Sequence, residues 1–245
     1  SNVDMAYHWG IITREIFIAL WAIVFGLMGF YLLGKLKFSH DSEVKHLTST
    51  RLIFALLTLT FTLYMIPGIW GAPLKLLSGI LPPEYYKEWR DKNATDCPHD
   101  LSCFHDYDEG MAYARSQGKP ALIDFTGYNC ANCRKMEDNI WVDPRVLKRL
   151  SDDYVLISLY VDDKKELPEE KKYISEFSGK EIVTCGNKWS DMQAEQYNSN
   201  IQPMYVLIDH KEKQLAKSWK GYENDPDKYV QFLDEGLCRY KMRQE

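Results

Sequence analysis

Six cysteines punctuate this chain, and two of them, Cys130 and Cys133, are separated only by Ala131 and Asn132. Thiols at that spacing meet within one helical turn, so one can attack a disulfide and the other can resolve the mixed disulfide that results. The same interval occurs in half a zinc knuckle. A zinc site needs two further ligands, for which Cys185 and His210 are conceivable, but there is no second Cys-x-x-Cys. Setting matters more than spacing. Residues 121–126 read as a short apolar strand, Gly127-Tyr128-Asn129 as a turn, and Cys130 as the start of a helix. A cysteine there faces unpaired amides and the positive end of the helix, both of which favour the thiolate.

Asp124 interrupts the apolar strand six residues before Cys130. It is either a hydrogen-bonded Asp at a strand edge or a buried carboxylate beneath Cys133, able to accept or relay a proton if its pKa is raised. Arg134 and Lys135 add positive charge beside the pair or are simply solvated. Pro203 enters the strand at 204–208, and a cis Gln202-Pro203 bond would hold extended backbone beside Cys130. Tyr128, Asn129, Gln202 and Met204 flank this site and are the candidate substrate contacts. Cys97-Pro98-His99 and Cys103-Phe104-His105 admit a structural disulfide, free thiols or a metal site, and the short interval favours the disulfide. Cys185 and Cys238 are candidates for a further structural bridge, for buried small hydrophobes, or for a second exchange site. No metal and no cofactor is assigned.

The elements that must position these residues follow an α/β pattern from about residue 104. Helices are expected at 106–117, 130–139, from Asp143-Pro144, at 168–177 as a charged insert, at 190–197 with Ser190 as cap, and at 227–239. Strands are expected at 121–126 and 154–161, with 204–208 and 214–219 as an antiparallel hairpin. The sum is a mixed sheet with helices on both faces.

The first part of the chain reads differently. Residues 16–34 and 52–72 are charge-free runs of 19 and 21 residues, long enough to approach the thickness of a bilayer core and hence two candidate transmembrane helices. Pro67 marks a kink or the end of the second span. Residues 1–73 thus form a membrane segment that partners a lipid bilayer, 74–103 a linker with a possible disulfide loop, and 104–245 the soluble domain. Residues 73–90, with Pro73, Pro82-Pro83 and the aromatic-rich Tyr85-Tyr86-Lys87-Glu88-Trp89, read as an interfacial linker with one short helix. The loop 35–51 holds Lys35, Lys37, Lys45 and Arg51, against Arg14 alone before the first span. This bias places the loop in the cytoplasm and everything after residue 73 outside. The chain carries 30 Lys/Arg and 35 Asp/Glu, and no basic block with interleaved aromatics, which argues against a nucleic-acid partner.

Asp124 to Cys133, with Gln202-Pro203-Met204-Tyr205, resembles the thioredoxin fold family. The two apolar runs, the Pro-rich linker and the stretch from Gly127 to Glu137 resemble more closely the membrane thiol:disulfide interchange proteins of the DsbD type. That resemblance implies a thioredoxin-like mixed sheet and a protein-disulfide reductase in a bacterial inner membrane, its redox domain in the periplasm and linked to cytochrome c biogenesis. It assigns Cys130 as attacking thiol, Cys133 as resolving thiol, Asp124 as buried acid and Pro203 as cis-proline. It implies two partners: a membrane electron-transfer domain and extracytoplasmic thioredoxin-like or disulfide-bearing proteins. Residues 1–73 contain no cysteine, so the membrane domain's own pair is expected upstream or on a separate protein. The sequence departs from the family at Asn129, where a tryptophan is common, and in the long insert from Asp162 to Trp189. Two rivals share the motif: a thiol oxidase or isomerase, and a non-enzymatic membrane-anchored metal-binding module.

Overall fold

Two apolar helices lead the chain and a five-stranded sheet follows. The computed structural model describes residues 2–41, 46–83, 85–86 and 97–244. Lys45 and the part of the expected linker helix beyond Tyr86, with Trp89, lie outside the described residues.

Helix α1 (Asn2–Ala6) is a single short turn. Helix α2 (Arg14–Leu32) is capped by the Thr13 hydroxyl and α3 (Ser49–Met65) by that of Thr48, each accepting an amide of the first turn. The two pack side by side, with Gly29 against Leu59 and Phe25 edge-on to Phe61 at 4.8 Å. Arg51 spans the pair at one end by donating to the carbonyls of Tyr31 and Leu32. Helix α2, and α3 together with the turn that follows it (Ser49–Trp70), are long and apolar enough to cross a membrane, and only 17% of the apolar window of each is buried within the protein. Pro67 ends the α-helix. It sits near the start of a 3-10 turn (Ile66–Trp70), where a proline is tolerated.

The sheet runs β1 (Cys103–Phe104), β3 (Val155–Tyr160), β2 (Ala121–Thr126), β6 (Met204–Ile208), β7 (Trp219–Lys220). β1, β3 and β2 are parallel, β6 pairs antiparallel with β2, and β7 forms the antiparallel edge beyond it. β2 and β3 are buried at every position because helices cover both faces, which is why they read as unbroken apolar runs. One face, with Ile123, Phe125 and Ile157, packs under α4 (Tyr107–Gln117) and α7 (Cys185–Tyr197). The other, with Leu122, Leu156 and Tyr205, packs under α5 (Ala131–Met136), α6 (Pro144–Asp152) and α8 (Pro226–Gln244).

Several expected elements take other forms. The charged stretch 168–177 is not a helix. It makes one 3-10 turn and then a two-stranded ribbon, β4 (Tyr173–Ile174) with β5 (Glu181–Ile182). Buried Ser175 and the Tyr173 hydroxyl both hydrogen-bond Asp191 on α7, and those long-range bonds outweigh a helical pattern that carried no apolar stripe. α7 begins five residues before Ser190, because the Thr184 hydroxyl accepts the Asn187 amide and supplies the cap. The expected helix 130–139 is interrupted: after Met136 it widens into a π-helical turn, Glu137–Trp141. The second hairpin strand shrinks to β7, joined to β6 at its far end only by a bridge between Ile208 and Gln214.

Candidate functional site

Residue alternation along β2 sets the site. Leu122, Asp124 and Thr126 face α5, while Ile123 and Phe125 face α7. Asp124 is therefore not at an edge. It lies in the central strand between Ser158 of β3 and Tyr205 of β6, only 3% exposed. Among the described residues its Oδ1 has no hydrogen-bond partner. Burial pushes its pKa up to about 7, opposed by the charge of Arg134 and moderated by the Ser158 hydroxyl, which lies close but outside hydrogen-bond geometry.

Cys130 is the N-cap of α5 and its sulfur accepts the Cys133 amide at 3.2 Å. The two cysteines are disulfide-bonded, with Cα atoms 5.3 Å apart. Cys130 is half-buried and Cys133 only 1% exposed, so any partner meets Cys130 first. The Gln202-Pro203 peptide is cis. Gln202 lines a cleft of about 350 Å³ together with Asn129, Cys130, Ala131 and Asp162.

A model of the thioredoxin-like domain family matches residues 107–237, more than half of the chain. The chain belongs to this thioredoxin-like family. Two solved structures are similar to it: DsbH oxidoreductase, at 23% identity over 62% of this chain and 92% of that one, with a TM-score of 0.43; and, in solution, a thioredoxin from Thermus thermophilus, at 18% identity over 58% and 92%, with a TM-score of 0.40. No curated protein matches.

Three groups that complete the thioredoxin-like site escape a reading of spacing. Asp162 lies just after β3, and its carboxylate accepts the amides of Tyr128 and Asn129 and the Asn129 side chain, each at 2.8 Å. It ties down the turn before Cys130. Asp162→Ala is expected to cost about 2 kcal/mol, since hydrogen bonds to a charged acceptor are lost together. Urea unfolding checks the loss, and an unchanged midpoint would exclude the clamp.

The second group is Arg134, which is neither solvated nor aimed at the cysteines. It is 4% exposed, pairs with Glu137 at 2.8 Å, and donates to Thr126 and to the Tyr85 hydroxyl at 3.2 Å. Glu137 and the tyrosines hold its pKa well above the usual guanidinium value despite burial. Lys135 instead lies over the Tyr222 ring. Tyr160 forms the third group: its hydroxyl meets that of Tyr85 at 2.5 Å, and its ring stacks on Tyr128 at 4.2 Å. Tyr85 belongs to the linker, so the linker reaches the helix that carries the cysteines. Gly79 of the same linker has φ +86°, and an added Cβ would stand 2.7 Å from the Ala131 carbonyl oxygen. Only glycine fits that approach.

Other expectations change. Met204 is fully buried in the α7-side core and takes a contact from Gln193, which removes its side chain from any substrate surface. Tyr128 and Gln202 remain half-buried and Asn129 exposed. Cys185 and Cys238 are free thiols and form no bridge. The conceivable zinc set with Cys185 and His210 is not assembled. His210 is hydrogen-bonded to the Lys119 carbonyl at the far end of β2, and Cys185 opens α7 with its thiol pKa raised by burial. Cys97 and Cys103 are disulfide-bonded.

Proposed function

We propose that this chain is a membrane-anchored protein-disulfide reductase of the DsbD type, passing electrons from a membrane domain to disulfide-bearing proteins outside the cytoplasm. The observation that carries the reading is the half-exposed Cys130 beside buried Cys133, on the side of the sheet that the buried Asp124 faces. In the reduced state Cys130 attacks a substrate disulfide and expels one substrate thiolate. Cys133 then attacks Cys130, its proton passing to Asp124, and the second substrate sulfur leaves as a thiolate. The Cys130–Cys133 bond is re-reduced by the membrane domain, which accounts for two electrons per cycle.

The membrane assignment is supported by α2 and α3, whose apolar side chains largely face outward, whereas the core helices of a soluble domain would bury theirs. The basic residues of the loop between them, Lys35, Lys37, Lys45 and Arg51, support a reading with that loop in the cytoplasm and the redox domain in the periplasm of a bacterial inner membrane.

Cys133→Ala is expected to trap a mixed disulfide through Cys130 with a physiological partner, visible as a dithiothreitol-sensitive adduct in non-reducing gels and by mass spectrometry. Absence of any adduct through Cys130 would overturn the exchange reading. A redox potential well below that of the extracytoplasmic space is expected. One above it would make the chain an oxidant instead.

A further inference from the structure

The proposed reductase cycle leaves unused a second group of soft ligands. Cys97, Cys103 and His105 place one sulfur or nitrogen each within 4.8 Å of the others. Cys103 lies in β1, on the sheet edge beside β3, with His105 just after the strand and buried Cys97 six residues before Cys103. Two histidines flank these cysteines in sequence, and the fold treats them differently. His99 turns its Nε2 to the Glu137 carbonyl at 2.8 Å and is spent there. His105 Nδ1 lies 3.2 Å from the Ser158 carbonyl oxygen. A carbonyl only accepts, so Nδ1 carries the proton and Nε2 presents its lone pair. That lone pair stands 3.8 Å from Cys103 Sγ.

A purely structural disulfide has no use for an oriented imidazole nitrogen at its sulfur. A metal site does: the backbone carbonyl on the far ring nitrogen is the usual means of fixing a ligating histidine. Access is open as well. A cleft of about 770 Å³ is lined by Cys103, His105, Asp106, Glu109 and Cys185. Two sulfurs and one imidazole nitrogen select thiophilic cations with filled d shells and reject calcium and magnesium.

We propose that the Cys97–Cys103 bridge is reducible and that its dithiol form, with His105, binds a thiophilic d10 cation, Cu(I) or Zn(II). The bridge thus gates the site. A dithiol, such as the Cys130/Cys133 pair of another copy, attacks one sulfur; the Cys97–Cys103 bond breaks and takes up two electrons. The reductant leaves as its own disulfide and its two protons pass to Cys97 and Cys103. Metal binding then forms two metal–thiolate bonds and one bond to Nε2, releasing both thiol protons to water.

The test uses the whole chain in detergent, carrying Cys130→Ser and Cys133→Ser so that the other dithiol cannot compete. The protein is reduced anaerobically with a phosphine, freed of reductant, and titrated with Zn(II) and with Cu(I) in separate arms against a chromophoric chelator. One equivalent of at least one cation is expected, and none in the oxidised protein. His105→Ala, which keeps both thiols and the bridge, is expected to weaken binding at least about 10-fold, and Cys103→Ser to abolish it. Retention of the metal by the oxidised protein, unchanged affinity in His105→Ala, no binding of either cation, or a bridge that resists the phosphine in the folded chain would each overturn the proposal.

Discussion

Cys130→Ser is expected to abolish disulfide-reductase turnover, by a factor on the order of 10³ or more, while leaving the fold intact. A serine hydroxyl neither ionises to a comparable nucleophile near neutral pH nor forms a disulfide. Cys133 cannot take over the attack, because it is only 1% exposed. The fold survives for a reason visible in the helix start. Cys130 caps α5 by accepting the Cys133 amide, and a serine oxygen is among the preferred groups for that role. Insulin reduction with the purified chain, read beside thermal unfolding of the reduced forms, separates the two effects. Turnover within tenfold of the parent would remove Cys130 from the reaction.

Asp124→Asn is expected to divide stability from activity. In the unfolded chain the carboxyl titrates near 3.8, and burial pushes it up to about 7 in the fold. Between those values the folded protein holds a proton that the unfolded chain has already released. The stability associated with this group is therefore fully present below about pH 4 and is lost as pH rises to about 7. The shift corresponds to about 4 kcal/mol. An amide carries no charge at any of these pH values, so the variant escapes the loss. Urea midpoints at pH 5 and pH 8 are expected to show a far larger gain at pH 8. Equal gains at both would mean that Asp124 does not titrate in this window. Turnover is expected to fall in the same variant and its pH profile to lose the step near pH 7, since Cys133 then has no carboxylate to receive its proton.

The opposite signs of those two effects explain an otherwise costly residue. A carboxylate with an unpartnered oxygen in a central strand opposes folding near neutral pH, and the surrounding core must offset it. Arg134 and Glu137 behave differently. They neutralise each other in a buried pair directly after Cys133, so their charge is spent on holding α5 and the linker tyrosine together.

How much of this was legible in the sequence depended on the range of the interaction. Caps, breakers and periodicity act over a few residues, so the helix expected at 106–117, found as α4 at Tyr107–Gln117, and the strands β2 and β3 matched their readings closely. The expected helix at 168–177 failed because its structure depends on Asp191, sixteen residues beyond Ser175. The start of α7 depends on a local signal, the Thr184 cap, which precedes the Ser190 expected to open the helix.

By itself, the sequence determined that Cys130 and Cys133 sit at a strand-to-helix turn, that Asp124 lies in an apolar strand, and that two long apolar segments precede the α/β pattern. Chain neighbours alone decide those features. Tertiary structure alone decided that Asp162 clamps the turn before Cys130, that Arg134 turns inward to Glu137, and that His105 rather than His99 faces Cys103. Each depends on partners brought together by packing. A side chain's ability to hydrogen-bond is written in its type, but the group it finds is set by which strands and helices lie beside it.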